Sequence, residues 1–160
     1  MQVLMVIESM FGNTRQLGQQ VAAGLTEGGA TVELVGVDDA PATVEGIDLL
    51  MVGAPTHNRG LSTPASRAQA AKAGASSVRG VREWLESVAV DGVPRVEVFD
   101  TSTSHSWLSG SAAKAAVKLL ARRSPATPAA ARTFLVQGTQ GPLQPGELDA
   151  ALAWGRELAA

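Results

Sequence analysis

Ser9, Gly12, Asn13 and Thr14 fall within one hexapeptide, SMFGNT, between an apolar run and the start of a helical pattern. Hydroxyls, an amide and a conformationally free residue at such a junction suit one task. A turn there aims backbone N–H groups and hydroxyls at a single point beside the positive end of a helix dipole, which is how proteins hold a phosphate. The competing reading is a helix-capping turn with Asn13 or Thr14 as the N-cap. Two more polar loops follow, PTHNRGLS from Pro55 and TSTSHSWLSG from Thr101. Both are rich in hydrogen-bonding side chains.

These loops need elements to carry them. The run Val3–Ile7 is apolar at every position, which predicts a strand covered on both faces. A helix from about Thr14 puts Leu17, Val21 and Leu25 on one face and ends at Gly28-Gly29. The alternating TVELVGV (31–37) predicts an edge strand, and the continuous IDLLMVGAP (47–55) a central one. RVEVFDT (95–101) and TFLVQGT (133–139) are the fourth and fifth strands. A helix between these two shares a face among Ala113, Ala116, Val117 and Leu120, with Arg122 and Arg123 at its C-terminal end. The last helix runs from about Gly146, with Glu147 and Asp149 in its first turn. Leu148, Ala151, Leu152 and Leu158 are expected to face inward there, with Trp154 half-buried at the edge.

Strands alternating with helices from end to end predict a parallel α/β sheet in one domain, 1–160. In a doubly wound sheet the ligand lies beyond the carboxyl ends of the strands, where strand order reverses. The loops after strands one, three and four should therefore converge.

The connection from Pro55 to Pro94 is far longer than a crossover needs. It holds an extra segment, STPASRAQAAKAGASSVRG (62–80), carrying Arg67, Lys72 and Arg79. That segment reads either as a surface helix with a solvated face or as a lid or docking element beside the loops. In the following VREWLESV, the residues Val81, Trp84, Leu85 and Val88 share a face, which puts Trp84 in the core.

Composition removes several classes. A net charge of −2 and a pI near 5.7 argue against a nucleic-acid surface. The absence of Cys excludes disulfides and thiolate or zinc–thiolate chemistry, and the two histidines, His57 and His105, cannot build a typical three-ligand metal site without carboxylate help. No apolar run nears membrane-spanning length and no secretory n-region opens the chain, so a cytoplasmic location is expected. A phosphoacceptor receiver would need paired acids where Glu8-Ser9 stands, an Asp where Ala54-Pro55 stands and a Lys where Gln137-Gly138 stands. Neither GxxxxGK[ST] nor GxGxxG occurs.

SMFGNT resembles the phosphate loop of flavodoxins, Ser/Thr-x-Thr-Gly-x-Thr before a helix. Ser9, Gly12 and Thr14 match, and Phe11 replaces the central hydroxyl residue. An aromatic there is similar to flavo-diiron flavodoxin domains and flavodoxin-like quinone reductases. VGAPTHNRG is similar to the loop that runs along the flavin ring, and TSTSHSWLSGSAAKAAVKLL to the second flavin loop and its helix. The resemblance covers the whole chain. It implies an α/β, flavodoxin-like three-layer sandwich with a five-stranded parallel sheet of order 2-1-3-4-5, and FMN as cofactor.

Residue roles follow from the resemblance. The N–H groups of Met10, Phe11, Gly12, Asn13 and Thr14, with the hydroxyls of Ser9 and Thr14, would hold the phosphate, more weakly for the loss of a hydroxyl at Phe11. Pro55, Thr56, His57, Asn58, Arg59 and Gly60 would meet the polar edge of the isoalloxazine, with Gly60 as the peptide free to flip. His57 and Arg59 either bring positive charge to a reduced flavin or point to solvent. Thr101, Ser102, Thr103 and Ser104 would serve the pyrimidine end and ribityl chain, and Trp107 either stacks on the ring or packs beneath its loop. His105 is expected to be exposed, and Asp100 to cap a turn.

The function so implied is electron transfer with a redox partner protein. The alternatives are a small FMN-dependent oxidoreductase acting on a quinone- or protoporphyrinogen-like acceptor, and a degenerate binding module without cofactor. In the enzyme reading the long crossover would wall a substrate pocket. The basic neighbourhood of the loops also leads us to expect a less negative reduction potential than that of acidic flavodoxins.

Overall fold

A computed structural model of the chain describes residues 1–75 and 79–160. Strands β1 (Gln2–Ile7), β2 (Thr31–Gly36), β3 (Leu49–Pro55), β4 (Val96–Ser102) and β5 (Ala129–Leu135) form one parallel sheet of order β2-β1-β3-β4-β5. The helices are α1 (Asn13–Glu27), α2 (Pro64–Ala71), α3 (Val81–Ser87), α4 (Ala112–Arg123) and α5 (Glu147–Ala159). β2 is an edge strand, as its alternation predicts.

β1 beyond Gln2 and β3 are apolar throughout because both their faces are covered. Val3, Met5 and Ile7 pack with Leu49 and Met51 against α1 and α5. Leu4 and Val6 pack with Leu50, Val52, Val96 and Val98 against α3 and α4. Successive side chains point to opposite faces, so each strand feeds both cores and the result is three layers. Trp84 is fully buried, with its indole N–H donating to the Pro41 carbonyl at 2.8 Å.

Two expectations about the C-terminal third are corrected. The fifth strand occupies 129–135 rather than 133–139. Its first half is Ala129-Ala130-Ala131, which carries no strand propensity of its own and is held by pairing with Val96–Val98. In α5 the buried residues are Ala151, Trp154, Gly155 and Leu158, whereas Leu148 is exposed. Trp154 is core, not edge. It meets Phe99 edge-on, with ring centroids 6.1 Å apart, and closes a three-ring cluster with Phe134.

The extra crossover segment yields α2, opened by a reciprocal capping box. The Ser66 N–H donates to Thr63 Oγ1 at 3.1 Å and the Thr63 N–H to Ser66 Oγ at 2.9 Å. Residues 76–78 of that segment lie outside the described residues.

Candidate functional site

The carboxyl ends of β1, β3 and β4 open onto a cavity of about 500 Å³. The loop after β1 contributes Ser9, Met10, Phe11, Asn13 and Thr14. The loop after β3 contributes Pro55, Thr56, His57, Asn58 and Arg59, and the end of β4 contributes Thr101, Ser102 and Thr103. The three loops thus converge as the topology requires. A hydroxyl pair on the lining, Thr14 Oγ1 and Thr101 Oγ1 at 3.4 Å, joins the first to the third.

Helix α1 has no side-chain cap. Its N-cap is Gly12, at φ 93°, and the capping turn by Asn13 or Thr14 is not formed. The Asn13 amide instead donates to the Gln140 carbonyl at 3.0 Å, and Ser9 Oγ accepts from the Arg15 N–H at 3.3 Å. Among the described residues, the N–H groups of Met10, Phe11, Gly12, Asn13 and Thr14 donate to nothing in the chain. Such donors at a helix start favour an anion. No Asp or Glu stands among the described residues of the lining.

The second loop is a tight turn. His57 and Gly60 exchange backbone hydrogen bonds of 2.8 and 3.0 Å, and Asn58 and Arg59 between them have φ 46° and 70°. Positive φ at both central positions makes a turn of the type I′ kind. The left-handed residues are therefore Asn58 and Arg59, and Gly60, the expected flexible peptide, closes the turn instead. Gly110 is packed so closely on this turn that a Cβ there would strike the Arg59 backbone.

His57 Nδ1 lies 3.1 Å from Ser66 Oγ. Burial, and then the Arg67 charge, lower its pKa below the usual 6.5, so the ring is neutral at pH 7. Of the two candidate charge donors only Arg59 is a cation on the lining.

Four expected residues stand apart from the lining: Gly12, Gly60, Ser104 and Trp107. Trp107 is 79 % exposed and shares a smaller recess with Ser104, His105 and Lys114. It neither packs beneath its loop nor faces the cavity. Asp100 is fully buried and does cap: its Oδ2 accepts from the Ala113 N–H at 2.9 Å, Ser111 Oγ at 2.6 Å and Thr56 Oγ1 at 3.2 Å.

Two further elements join the cavity: α2, in line with the wall expected of the crossover segment, and the loop after β5, which the loop chemistry does not announce. Ser66, Gln69, Ala70 and Ala73 make one wall with α2 and the turn after it, and Val136, Thr139 and Gln140 bring the loop after β5. The β5 loop escaped notice because the strand was expected to run on to Thr139.

The α2 wall is anchored by a buried polar cluster. Glu8, fully buried at the end of β1, accepts from the Ser62 hydroxyl and, at 2.8 Å, from the Val81 N–H. Arg67 is also buried, donating to Ser62 Oγ at 2.8 Å and pairing with Glu83 at 2.8 Å. It is therefore no part of a solvated helix face. Burial raises the Glu8 pKa above 4.5 against the pull of Ser62, Val81 and Arg67. Burial pushes Glu83 the same way, but the Arg67 hydrogen bond and charge outweigh it and hold that carboxyl below 4.5.

Among the described residues no group of three or more His, Asp or Glu could hold a metal ion, and no helix is long and apolar enough to cross a membrane. No protein-family model and no curated protein matches the sequence. Solved structures do match in shape. Flavodoxin 1 from Bacillus cereus superposes with a TM-score of 0.65 at 20 % identity, over 98 % of this chain and 96 % of that one. The two-electron reduced flavodoxin of Megasphaera elsdenii gives 0.64 at 20 % identity, over 98 % of each chain. The rubredoxin oxygen:oxidoreductase of Desulfovibrio gigas gives 0.57 at 16 % identity, over 99 % of this chain and 35 % of that one. With its strand order and end-to-end coverage, the chain has the flavodoxin-like fold.

Proposed function

We propose that the cavity binds FMN and that the chain is an electron-transfer flavoprotein. The observation that carries this reading is the set of unpartnered N–H groups from Met10 to Thr14, opening onto a lining without carboxylates. A phosphate dianion would supply the missing acceptors, and Ser9 and Thr14 would add hydroxyls. Phe11 offers no hydroxyl, so affinity rests more heavily on the backbone. A cavity of about 500 Å³ lies within the ~300–1,000 Å³ usual for small-molecule sites.

Bound there, FMN would supply the redox chemistry, accepting and releasing electrons. The chain's own residues would bind and tune it. The Asn58–Arg59 turn would hold its backbone against the cofactor, and Arg59 would favour added negative charge. Neutral His57 would offer hydrogen bonding without charge. Trp107 has no stacking role in this reading, and Phe11 is the apolar ring on the lining.

The test is the absorption spectrum of purified protein and titration with FMN while following flavin fluorescence. We expect quenching by FMN, and binding at least tenfold weaker for riboflavin, which lacks the phosphate. Equal binding of the two would remove the phosphate-loop assignment, and no binding of either would remove the cofactor. The α2 wall favours a second reading, an FMN-dependent oxidoreductase with a small acceptor held by Ser66, Gln69 and Ala70. Turnover of a quinone with NADH or NADPH by the FMN-loaded protein would establish it.

A further inference from the structure

Charge is sorted along this chain. From Thr101 to Gly146 there is no Asp or Glu, while Lys114, Lys118, Arg122, Arg123 and Arg132 are all present. From Glu27 to Asp48 there is no Lys or Arg, against Glu27, Glu33, Asp38, Asp39, Glu45 and Asp48. The first stretch builds the end of β4, α4 and β5, and the second builds β2 and the segment after it. β2 and β5 are opposite edges of the sheet, and on the acidic side Glu27 is paired with Arg156.

On the basic side the loop after β4 carries adjacent exposed apolar residues, Trp107 at 79 % and Leu108 at 58 %. Lys114 and His105 share the Trp107 recess, with no carboxylate among its described lining. Ser109 of the same loop lines the main cavity, and Gly110 sits on the backbone of Arg59. The apolar pair therefore borders the cavity mouth, with cations beside it. An exposed Trp with Lys114 in its recess and Arg59 against the same loop has the composition of a docking hot spot, where the ring supplies affinity and the charges supply steering.

We propose that Trp107 and Leu108, flanked by Arg59, His105 and Lys114, dock a partner protein whose contact face is acidic. This rests on the electron-transfer reading, since a partner seated here lies against the mouth of the proposed FMN site. The sign is set by this chain's own charges: a basic partner would meet Lys114 and Arg59 as like charges.

The experiment is an NMR titration of ¹⁵N-labelled protein, FMN-free and FMN-loaded, at low ionic strength. One probe is an acidic plant-type [2Fe–2S] ferredoxin and the other is basic cytochrome c. We expect ferredoxin to broaden the Trp107 indole signal and the amides of 105–110, with the effect fading as salt passes ~0.1 M. Lys114→Glu with Lys118→Glu, both exposed and outside the cavity lining, should weaken ferredoxin about tenfold and leave FMN affinity unchanged. Trp107→Ala should weaken it as well. The proposal is overturned if ferredoxin leaves Trp107 unperturbed, or if cytochrome c perturbs it as strongly. The FMN-free arm separates the two readings: failure to bind FMN removes the cofactor alone, and failure of docking with FMN bound removes only the partner.

Discussion

At the scale of single residues, the site depends on backbone placed where side chains rarely go. Arg59 is held left-handed at φ 70° and Gly110, itself at φ 68°, packs on it without room for a Cβ. Gly110→Ala therefore meets two penalties, an unfavourable φ and a collision with backbone. It should cost about 2 kcal/mol in urea denaturation and, if FMN binds as proposed, weaken that binding by displacing the Asn58–Arg59 turn. His57 is the second test. Its folded pKa lies below 6.5, so its contribution to stability is full above 6.5 and is lost as pH falls through the lowered value. An NMR titration of the ring should find a midpoint below 6.5. The shape of the turn was hidden in PTHNRGLS, because a sequence does not state which residue of a turn takes positive φ. The chain uses Asn58 and Arg59, not the glycine beside them.

Among the elements, the informative one is α2. Its alanines and capping box predict a helix, but nothing local says that Arg67 is buried. The reason lies in Glu8, remote in sequence, whose carboxylate reaches Ser62 and the start of α3. A buried carboxylate with a raised pKa has a definite pH signature. Glu8 contributes most below 4.5, where it is protonated in both states, and that contribution declines as pH rises through its raised folded value. Glu83, held low, has the opposite sign and loses its contribution only as pH falls below 4.5. Comparing wild type with Glu8→Gln in urea melts from pH 4.5 to 8 should show the stability gap narrowing as pH rises. A constant gap would mean that Glu8 titrates normally. The strands, by contrast, were legible from Val3–Ile7 and from 47–55, since continuous apolar runs need two covered faces. The triple alanine of β5 was not, for it borrows its strand from β4. That error also concealed Val136, Thr139 and Gln140 on the cavity.

For the whole molecule, three of the five cavity-forming regions could be read from loop chemistry plus the rule that strand ends meet at the switch point. The wall from α2 matches one of the two readings of the crossover segment, and the loop after β5 came only with packing. A lining with Arg59 and no carboxylate should ease the addition of electrons to a bound flavin, so a redox titration is expected to find couples less negative than those of acidic flavodoxins. An equally low hydroquinone couple would contradict this. The sorting of charge across the sheet reaches beyond redox chemistry. A net charge of −2 describes neither edge of the molecule. At neutral pH and low salt the protein should be retained by anion-exchange and cation-exchange resins alike, held by β2 on one and by the α4–β5 side on the other. Its solutions should then show an attraction between copies that salt abolishes, as the acidic edge of one molecule finds the basic edge of the next.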